Sequence, residues 1–325
     1  RYYDYGLVFD KFVNAILRRI EREGVADVET IKRKNKRYSI QYSTPVWLVK
    51  ALIEEYGEER ALAILASLFE RNKASIRVTD LARKEELKGL LQAEDSLLAP
   101  SALVKNQGHF AGHELFTSGL ITIQDESSQL VAPTLGIEGD ERILDACSAP
   151  GGKTLHMASY LNTGEIIALD LYEHKLQLIE EAATRLGLAD KVQTKKLDAR
   201  EVYQKFGKDA FDKILVDAPC SGIGLLRRKP DIKYNKENAD FLSLQKIQLE
   251  ILDSVCKSLR KGGIITYSTC TIFSQENSQV VSKFLEKHPN FEQVNLKHER
   301  KDILKDGYFN YSRIIWKRWL FYQSV

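Results

Sequence analysis

Cysteine is scarce in this 325-residue sequence: four residues, at positions 147, 220, 256 and 270, with no Cys-x-x-Cys pair among them. Thiols spaced in this way fit neither a disulfide framework nor a zinc ribbon, so no metal ligand set is expected and a reducing, cytoplasmic setting is the default. Long apolar runs are missing as well. No stretch approaches the ~18 residues a helix needs to cross a bilayer, which excludes a helical integral membrane protein. Internal repeats, low-complexity linkers and a signal peptide are not found; the first residue is Arg1, and the expectation is of a chain already trimmed. What is present is ordinary for a folded protein. With 43% apolar and 29% charged residues the chain is neither disordered nor collagen-like, and its length is roughly two domains' worth.

An excess of one charge is also lacking, with 48 Lys and Arg against 45 Asp and Glu. The balance is nevertheless uneven. Residues 1–50 carry 11 basic and 6 acidic side chains, a net +5, whereas the rest carry 37 and 39, a net −2. One basic cluster is Lys32, Arg33, Lys34, Lys36 and Arg37, followed by Tyr38 and Tyr42; a second is Arg227, Arg228, Lys229, Lys233 and Lys236 around Asp231. Such patches neutralise phosphates, and nearby aromatics stack on unpaired bases. A merely solvated surface explains either cluster alone about equally well.

The first third reads as mostly helical. Phe9, Phe12, Val13, Ile16, Leu17 and Ile20 recur at helical spacing before Gly24, Thr44-Pro45 reads as a cap and first-turn proline, and another helix is expected near Glu59–Glu70. Residues 75–125 are less regular, with apolar stretches at Ile76–Val78, Ala102–Val104 and Leu120–Ile123. From about Asp125 the pattern alternates. Strands are expected at Arg142–Ala146, Glu165–Leu169, Val192–Leu197, Lys213–Val216 and Ile264–Tyr267, with helices at Glu173–Leu186, Phe241–Leu259 and Gln275–Lys287. This is an α/β pattern that implies a doubly wound, mainly parallel sheet, whose ligands bind beyond the carboxyl ends of the strands.

The residues at those ends are distinctive. After the first strand comes Asp145-Ala-Cys-Ser-Ala-Pro-Gly-Gly-Lys153-Thr, a glycine turn opening a helix. It is not a nucleotide P-loop, because Cys147 stands where that loop needs glycine, nor does it hold the dinucleotide fingerprint. The next three strands end in Asp170, Asp198 and Asp217. One such acid is ordinary turn chemistry; three in succession after a glycine loop favour an adenosine-containing cofactor by about three to one. Cys220 and Cys270 then follow two of the strands, in Asp217-Ala-Pro-Cys220-Ser-Gly and Ser268-Thr-Cys270-Thr, whereas Cys256 falls within a helix and reads as core. A thiol attacks as thiolate, and Lys153 or a helix N-terminus is a candidate for lowering its pKa.

Residues 121–285 resemble the Sun/Fmu family of RNA cytosine-C5 methyltransferases. The resemblance is carried by Asp145–Thr154, Asp170, Asp198, Asp217–Gly222, Gly224–Tyr234 and Tyr267–Thr271, and the segments Gln124–Val131 and Gln41–Lys50 are similar to its bacterial small-subunit ribosomal RNA branch. It implies a Rossmann-like S-adenosylmethionine-dependent methyltransferase domain over 125–325, a pre-methyltransferase RNA-binding region over 25–124, and over 1–24 the remnant of a NusB-like helical RNA-binding domain, seen in Lys11–Arg19. It implies S-adenosyl-L-methionine held by Cys147, Ser148, Ala149, Pro150, Gly151, Gly152 and Lys153, with Asp170 at the ribose, Asp198 at the adenine side and Asp217 also lining the site. Cys270 is implied as nucleophile and Cys220 as the residue that helps release the methylated base. Because DNA cytosine methyltransferases use a Pro-Cys cysteine, Cys220 is the rival nucleophile. The implied partner is RNA, 16S ribosomal RNA above all, gripped by Arg227, Arg228, Lys229 and Lys233, with a monomer as the default state.

The chemistry accounts for these groups. Cytosine C5 is a poor nucleophile until a thiolate adds at C6 and converts it into an enamine carbon. Charge developing at N3 and O2 requires a donor, for which Lys153 and a protonated Asp217 are the candidates, and the base must leave its stack. The tail departs from the family: Tyr311–Val325 back-translates into codons that, shifted by one nucleotide, give a family-like ending. A distorted or replaced final strand is therefore expected. Three other readings remain: a non-catalytic RNA-binding module on a degenerate fold, a small-molecule or protein methyltransferase, and a cysteine hydrolase. The last is disfavoured because none of the six His follows a relevant strand.

Overall fold

The computed structural model describes residues 6–24, 27–235, 238–299, 301–305, 308–311 and 316–323. Residues 1–61 and 62–325 form two compact units. The first holds α1 (Gly6–Glu23), α2 (Lys34–Gln41) and α3 (Val46–Tyr56). The apolar stripe that marks α1 as a helix lies exposed, from Ile16 at 42% to Phe12 at 62%. In the first basic cluster Lys34 pairs with Glu58 and Arg37 with Glu29. Tyr38 is buried and donates its hydroxyl to Glu58 at 2.5 Å, so it is not available to stack on a base. Pro45 occupies the cap position of α3 itself, and the Thr44 hydroxyl donates to the Tyr42 carbonyl instead of capping.

The second unit begins within α4 (Glu58–Ser67) and continues into β1 (Ala74–Val78), α5 (Lys84–Leu91), β2 (Glu94–Asp95), β3 (Ala102–Lys105), α6 (Glu114–Thr117) and β4 (Ile121–Ile123). The apolar stretches of this irregular-looking region pair as one antiparallel sheet in the order β2-β3-β1-β4, closed by Ile76, Val78, Leu87, Leu91, Leu103 and Ile121.

Next come α7 (Glu126–Gln129), α8 (Val131–Thr134), β5 (Arg142–Asp145), α9 (Gly152–Ala158), β6 (Glu165–Asp170), α10 (Glu173–Arg185), β7 (Val192–Lys196), α11 (Val202–Phe206) and β8 (Phe211–Asp217). They are followed by α12 (Asn238–Val255), β9 (Leu259–Thr269), α13 (Ser278–Lys287), β10 (Phe291–Gln293), β11 (Leu304–Lys305), β12 (Tyr308–Tyr311) and β13 (Trp316–Gln323). Among the described residues these strands make a nine-stranded sheet ordered β11-β12-β13-β9-β8-β5-β6-β7, with β10 beside β13. The five strands from β7 to β9 are parallel, and near-continuous apolar runs such as Ile166–Leu169 and Ile214–Val216 are buried in this sheet. The chain goes from β5 to β6 and β7 on one side, then to β8 and β9 on the other. The topological switch point therefore lies between β5 and β8.

The distorted final strand expected from the tail is not observed. β13 runs antiparallel to β9 in unbroken register from Lys317 opposite Thr269 to Tyr322 opposite Ile264. Ladder hydrogen bonds use main-chain groups, and an aromatic-rich run such as Trp316–Tyr322 suits a strand whatever its origin. No helix among the described residues is long and apolar enough to cross a membrane.

Candidate active site

The loop after β5 is tied down from both ends. Ser148 donates both its N–H and its hydroxyl to the Leu169 carbonyl of β6, each at 2.8 Å. Asp145 is fully buried and accepts from the Thr154 hydroxyl at 2.7 Å. Burial, aided by the nearby Asp217 charge, pushes its carboxyl up to about 7. Gly151 adopts φ +99°, and a Cβ there would meet Ile179 at 3.0 Å, so only glycine fits. At Gly152 a Cβ would meet only the Gln124 side-chain nitrogen, at 3.9 Å. The result is a side-chain-free turn at the start of α9, beside the switch point. Cys147 in the same loop is half-buried, and burial together with Asp145 raises its thiol well above the ordinary range.

Asp170 and Asp198 close β6 and the segment after β7. Asp170 accepts the Tyr172 N–H at 3.0 Å and has Lys175 4.0 Å away. Asp198 caps the turn at Ala199 and binds the Arg200 guanidinium at 2.6 Å, which holds its carboxyl below the usual range. Both acids thus do the turn work expected of such positions. With about four lone-pair sites per carboxylate, Asp170 keeps more acceptor capacity than Asp198.

Across the switch point Lys153 of α9 reaches Asp217 at the end of β8, with its amine 2.6 Å from Oδ2. The other oxygen of Asp217 accepts from Ser268 of β9 at 2.6 Å. Beyond the same two strands the sulfurs of Cys220 and Cys270 lie 3.1 Å apart, and the Cys270 N–H donates to the Cys220 sulfur at 3.2 Å. The contact with Cys270 and burial raise the Cys220 thiol well above its ordinary pKa; the lowering by Lys153 that the sequence allows is not seen there. The Cys270 carbonyl accepts from Gly224, and Gly222, at φ +73°, keeps side-chain atoms away from the Cys270 sulfur.

The second basic cluster follows directly, but its members are not equivalent. Arg227 pairs with Glu70 at 3.0 Å and Arg228 with Asp125 at 2.7 Å. Lys229 is exposed, whereas burial lowers the pKa of the Lys233 amine. Tyr234 is 68% exposed. The sequence reading quoted Ser221 and Ser268 within the cysteine motifs but gave no role to them, to Gln248 or to Glu276, all of which brace the two cysteine loops. A polar residue buried by tertiary contact leaves no periodic signal in a single sequence. Among the described residues no group of three or more His, Cys, Asp or Glu is placed to hold a metal ion.

A family model described as 16S rRNA methyltransferase RsmB/F matches residues 132–318, which include the whole constellation. The chain belongs to the RsmB/F family. It is a member of a family of ribosomal RNA methyltransferases, and its parallel sheet is that of a Rossmann-like methyltransferase. Among its relatives is the probable ribosomal RNA small subunit methyltransferase B of Bacillus subtilis, 42% identical over 308 residues, which span 91% of this chain and 69% of that protein. The ribosomal RNA small subunit methyltransferase B of Yersinia pseudotuberculosis is 33% identical over 94% of this chain and 73% of its own length. Of solved structures, that of PH0851 superposes with a TM-score of 0.83 at 28% identity, over 89% of this chain and 68% of its own. NSun6 from Pyrococcus horikoshii, solved with SFG, shares the fold with a TM-score of 0.75 at 22% identity, over 86% of this chain and 98% of its own.

Proposed function

We propose that this RsmB/F member methylates C5 of a cytosine in 16S ribosomal RNA, with Cys270 as nucleophile. The observation that carries the reading is the pair of sulfurs 3.1 Å apart beyond two adjacent strands, one of which ends in the Asp217 that pairs with Lys153. A small-molecule or protein methyltransferase has no need of two such thiols, and the exposed Lys229 and Tyr234 beside them suit an RNA strand. Cys270 adds to C6 as thiolate, and the electron pair displaced from the C5–C6 bond makes C5 nucleophilic. Lys153 meets the charge that develops at O2 and N3. Asp217 accepts on both oxygens, which makes it the group that orients Lys153. After methyl transfer the C5 proton leaves to a base, the C5–C6 double bond re-forms and Cys270 departs as thiolate. Cys220 serves this release.

S-adenosyl-L-methionine is the proposed methyl donor, supplying an electrophilic sulfonium methyl. The open turn at Gly151–Gly152 and the acceptor capacity of Asp170 suit such a group, and the loop from Cys147 to Lys153 would hold it with Asp170, Asp198 and Asp217. Lys229, Lys233 and the two paired arginines are proposed to line the RNA path. Incubation of unmethylated small-subunit ribosomal RNA with labelled cofactor tests the whole reading. Cys270→Ala is expected to abolish transfer, and Cys220→Ala to accumulate a covalent RNA adduct. Turnover by the Cys270 variant, or an adduct formed only through Cys220, overturns the assignment.

A further inference from the structure

Glu276 is a carboxylate with no exposed surface, on the short turn Ser274–Glu276 beyond Cys270. It is among the deepest acids in the molecule, and its partners explain why it stays there. One oxygen accepts the Ser221 N–H at 2.7 Å and the Gln248 amide at 3.2 Å; the other accepts the Ser221 hydroxyl at 2.5 Å. The same Gln248 amide donates to the Pro219 carbonyl at 2.9 Å. The residues on either side of Cys220 are therefore both held, one by Glu276 and one by Gln248, while the acid's own carbonyl is fixed by the Tyr267 hydroxyl at 2.8 Å. The Ser221 hydroxyl also lies 2.9 Å from that of Thr271, next to Cys270, but Glu276 makes no bond to Cys270 itself, whose carbonyl accepts from Gly224 and whose N–H donates to the Cys220 sulfur.

We propose that Glu276 is a positioning residue for Cys220: it locks the Pro219–Ser221 loop so that the Cys220 sulfur stands beside Cys270 at the step that frees the product. The inference rests on the release role assigned to Cys220 above. A buried carboxylate with donors from Ser221, Gln248 and Thr271 is costly to remove, because each donor then loses its acceptor away from water. What distinguishes a positioning role from general stability is where the loss falls. Methyl transfer goes through Cys270, which Glu276 does not touch, so the first turnover is expected to survive loss of the clamp far better than the later ones.

The test uses the full chain, small-subunit ribosomal RNA and labelled cofactor, comparing single-turnover transfer, steady-state turnover and the denaturant-resistant protein–RNA adduct. Glu276→Ala is expected to lower steady-state turnover at least about tenfold while single-turnover transfer stays within about threefold, and to build up adduct as Cys220→Ala does. Glu276→Gln keeps an oxygen for the Ser221 N–H and is expected to restore most of the release. Should Glu276→Ala fail to fold, Ser221→Ala removes one donor only and is expected to show the same pattern, smaller. Parallel loss of first and later turnovers without adduct overturns the positioning role, as does wild-type turnover of Glu276→Ala. Absence of adduct in Cys220→Ala overturns the release role beneath it, which separates the two failures.

Discussion

Two thiol clusters occur in the second unit, and they differ in composition, burial and geometry alike. Cys220 and Cys270 sit half-buried beyond two parallel strands, beside the turn at Gly222. Cys256 lies just past the end of α12, with both ring nitrogens of His288 at 3.8 and 3.9 Å, and His288 bonds Asp253 at 2.8 Å. By composition the second set is the cysteine, histidine and acid of a hydrolase. Its geometry is not: near-equal distances mean the sulfur is not aimed at one nitrogen, and burial pushes the Cys256 thiol up to about 12. Cys256 also packs in the main apolar core. Here the histidine beside Cys256 does not activate it, whereas Cys220 and Cys270 stand where the sheet leaves open backbone.

The comparison breaks most visibly at the nucleophile. Cys270→Ala is expected to lower methyl transfer at least about 10⁴-fold, whereas Cys256→Ala should leave activity within twofold and cost about 1–2 kcal/mol of stability, read by denaturant unfolding. Equal effects on activity would end the distinction between the clusters. Next in size is Lys153→Met, for which single-turnover transfer at saturating cofactor should fall about 10²-fold, as expected of an amine that acts on developing charge.

A third expectation concerns pH and stability. Asp145 titrates at about 7 when folded and near 3.8 when unfolded. Between those values the folded state binds more protons, so this group's contribution to stability falls as pH rises from about 4 to 7, at up to about 1.4 kcal/mol per unit. Asp145→Asn removes that slope, and the stability of the variant relative to the parent chain should rise over the same window. The smallest effect is expected in the RNA path. Lys229→Ala should reduce the salt dependence of RNA binding by about one unit of log–log slope, and Arg227→Ala by less, because Arg227 already faces Glu70.

The parallel half of the fold was legible in sequence because buried strands between amphipathic helices carry their period in the chain. The strand ends around Asp145, Asp170 and Asp217 were placed to within a residue or so. The antiparallel sheet of residues 74–123 was not legible as a sheet. Its strands are two to five residues long, and their pairing, β1 between β3 and β4, is non-local. At the site, the thiols and the Lys153 loop stood out by position in the motif. The pairing of Arg228 with Asp125, and the bracing of Cys220 by Glu276, depend on residues about 50 to 100 positions apart in the chain, and only folding brings them together.

The register between β8 and β9 has a consequence of another kind. Asp217 stands opposite Ser268, so the two strands share a common origin. From it Cys220 is three residues along one loop and Cys270 two along the other. The loops work as two rulers laid from the same mark, and their ends meet at 3.1 Å. One residue of extended chain measures about 3.3 Å, as large as the gap itself. Evolution can rewrite many letters in either loop, but the count of letters is not free: a single insertion or deletion on one side would separate the pair as surely as deleting a thiol.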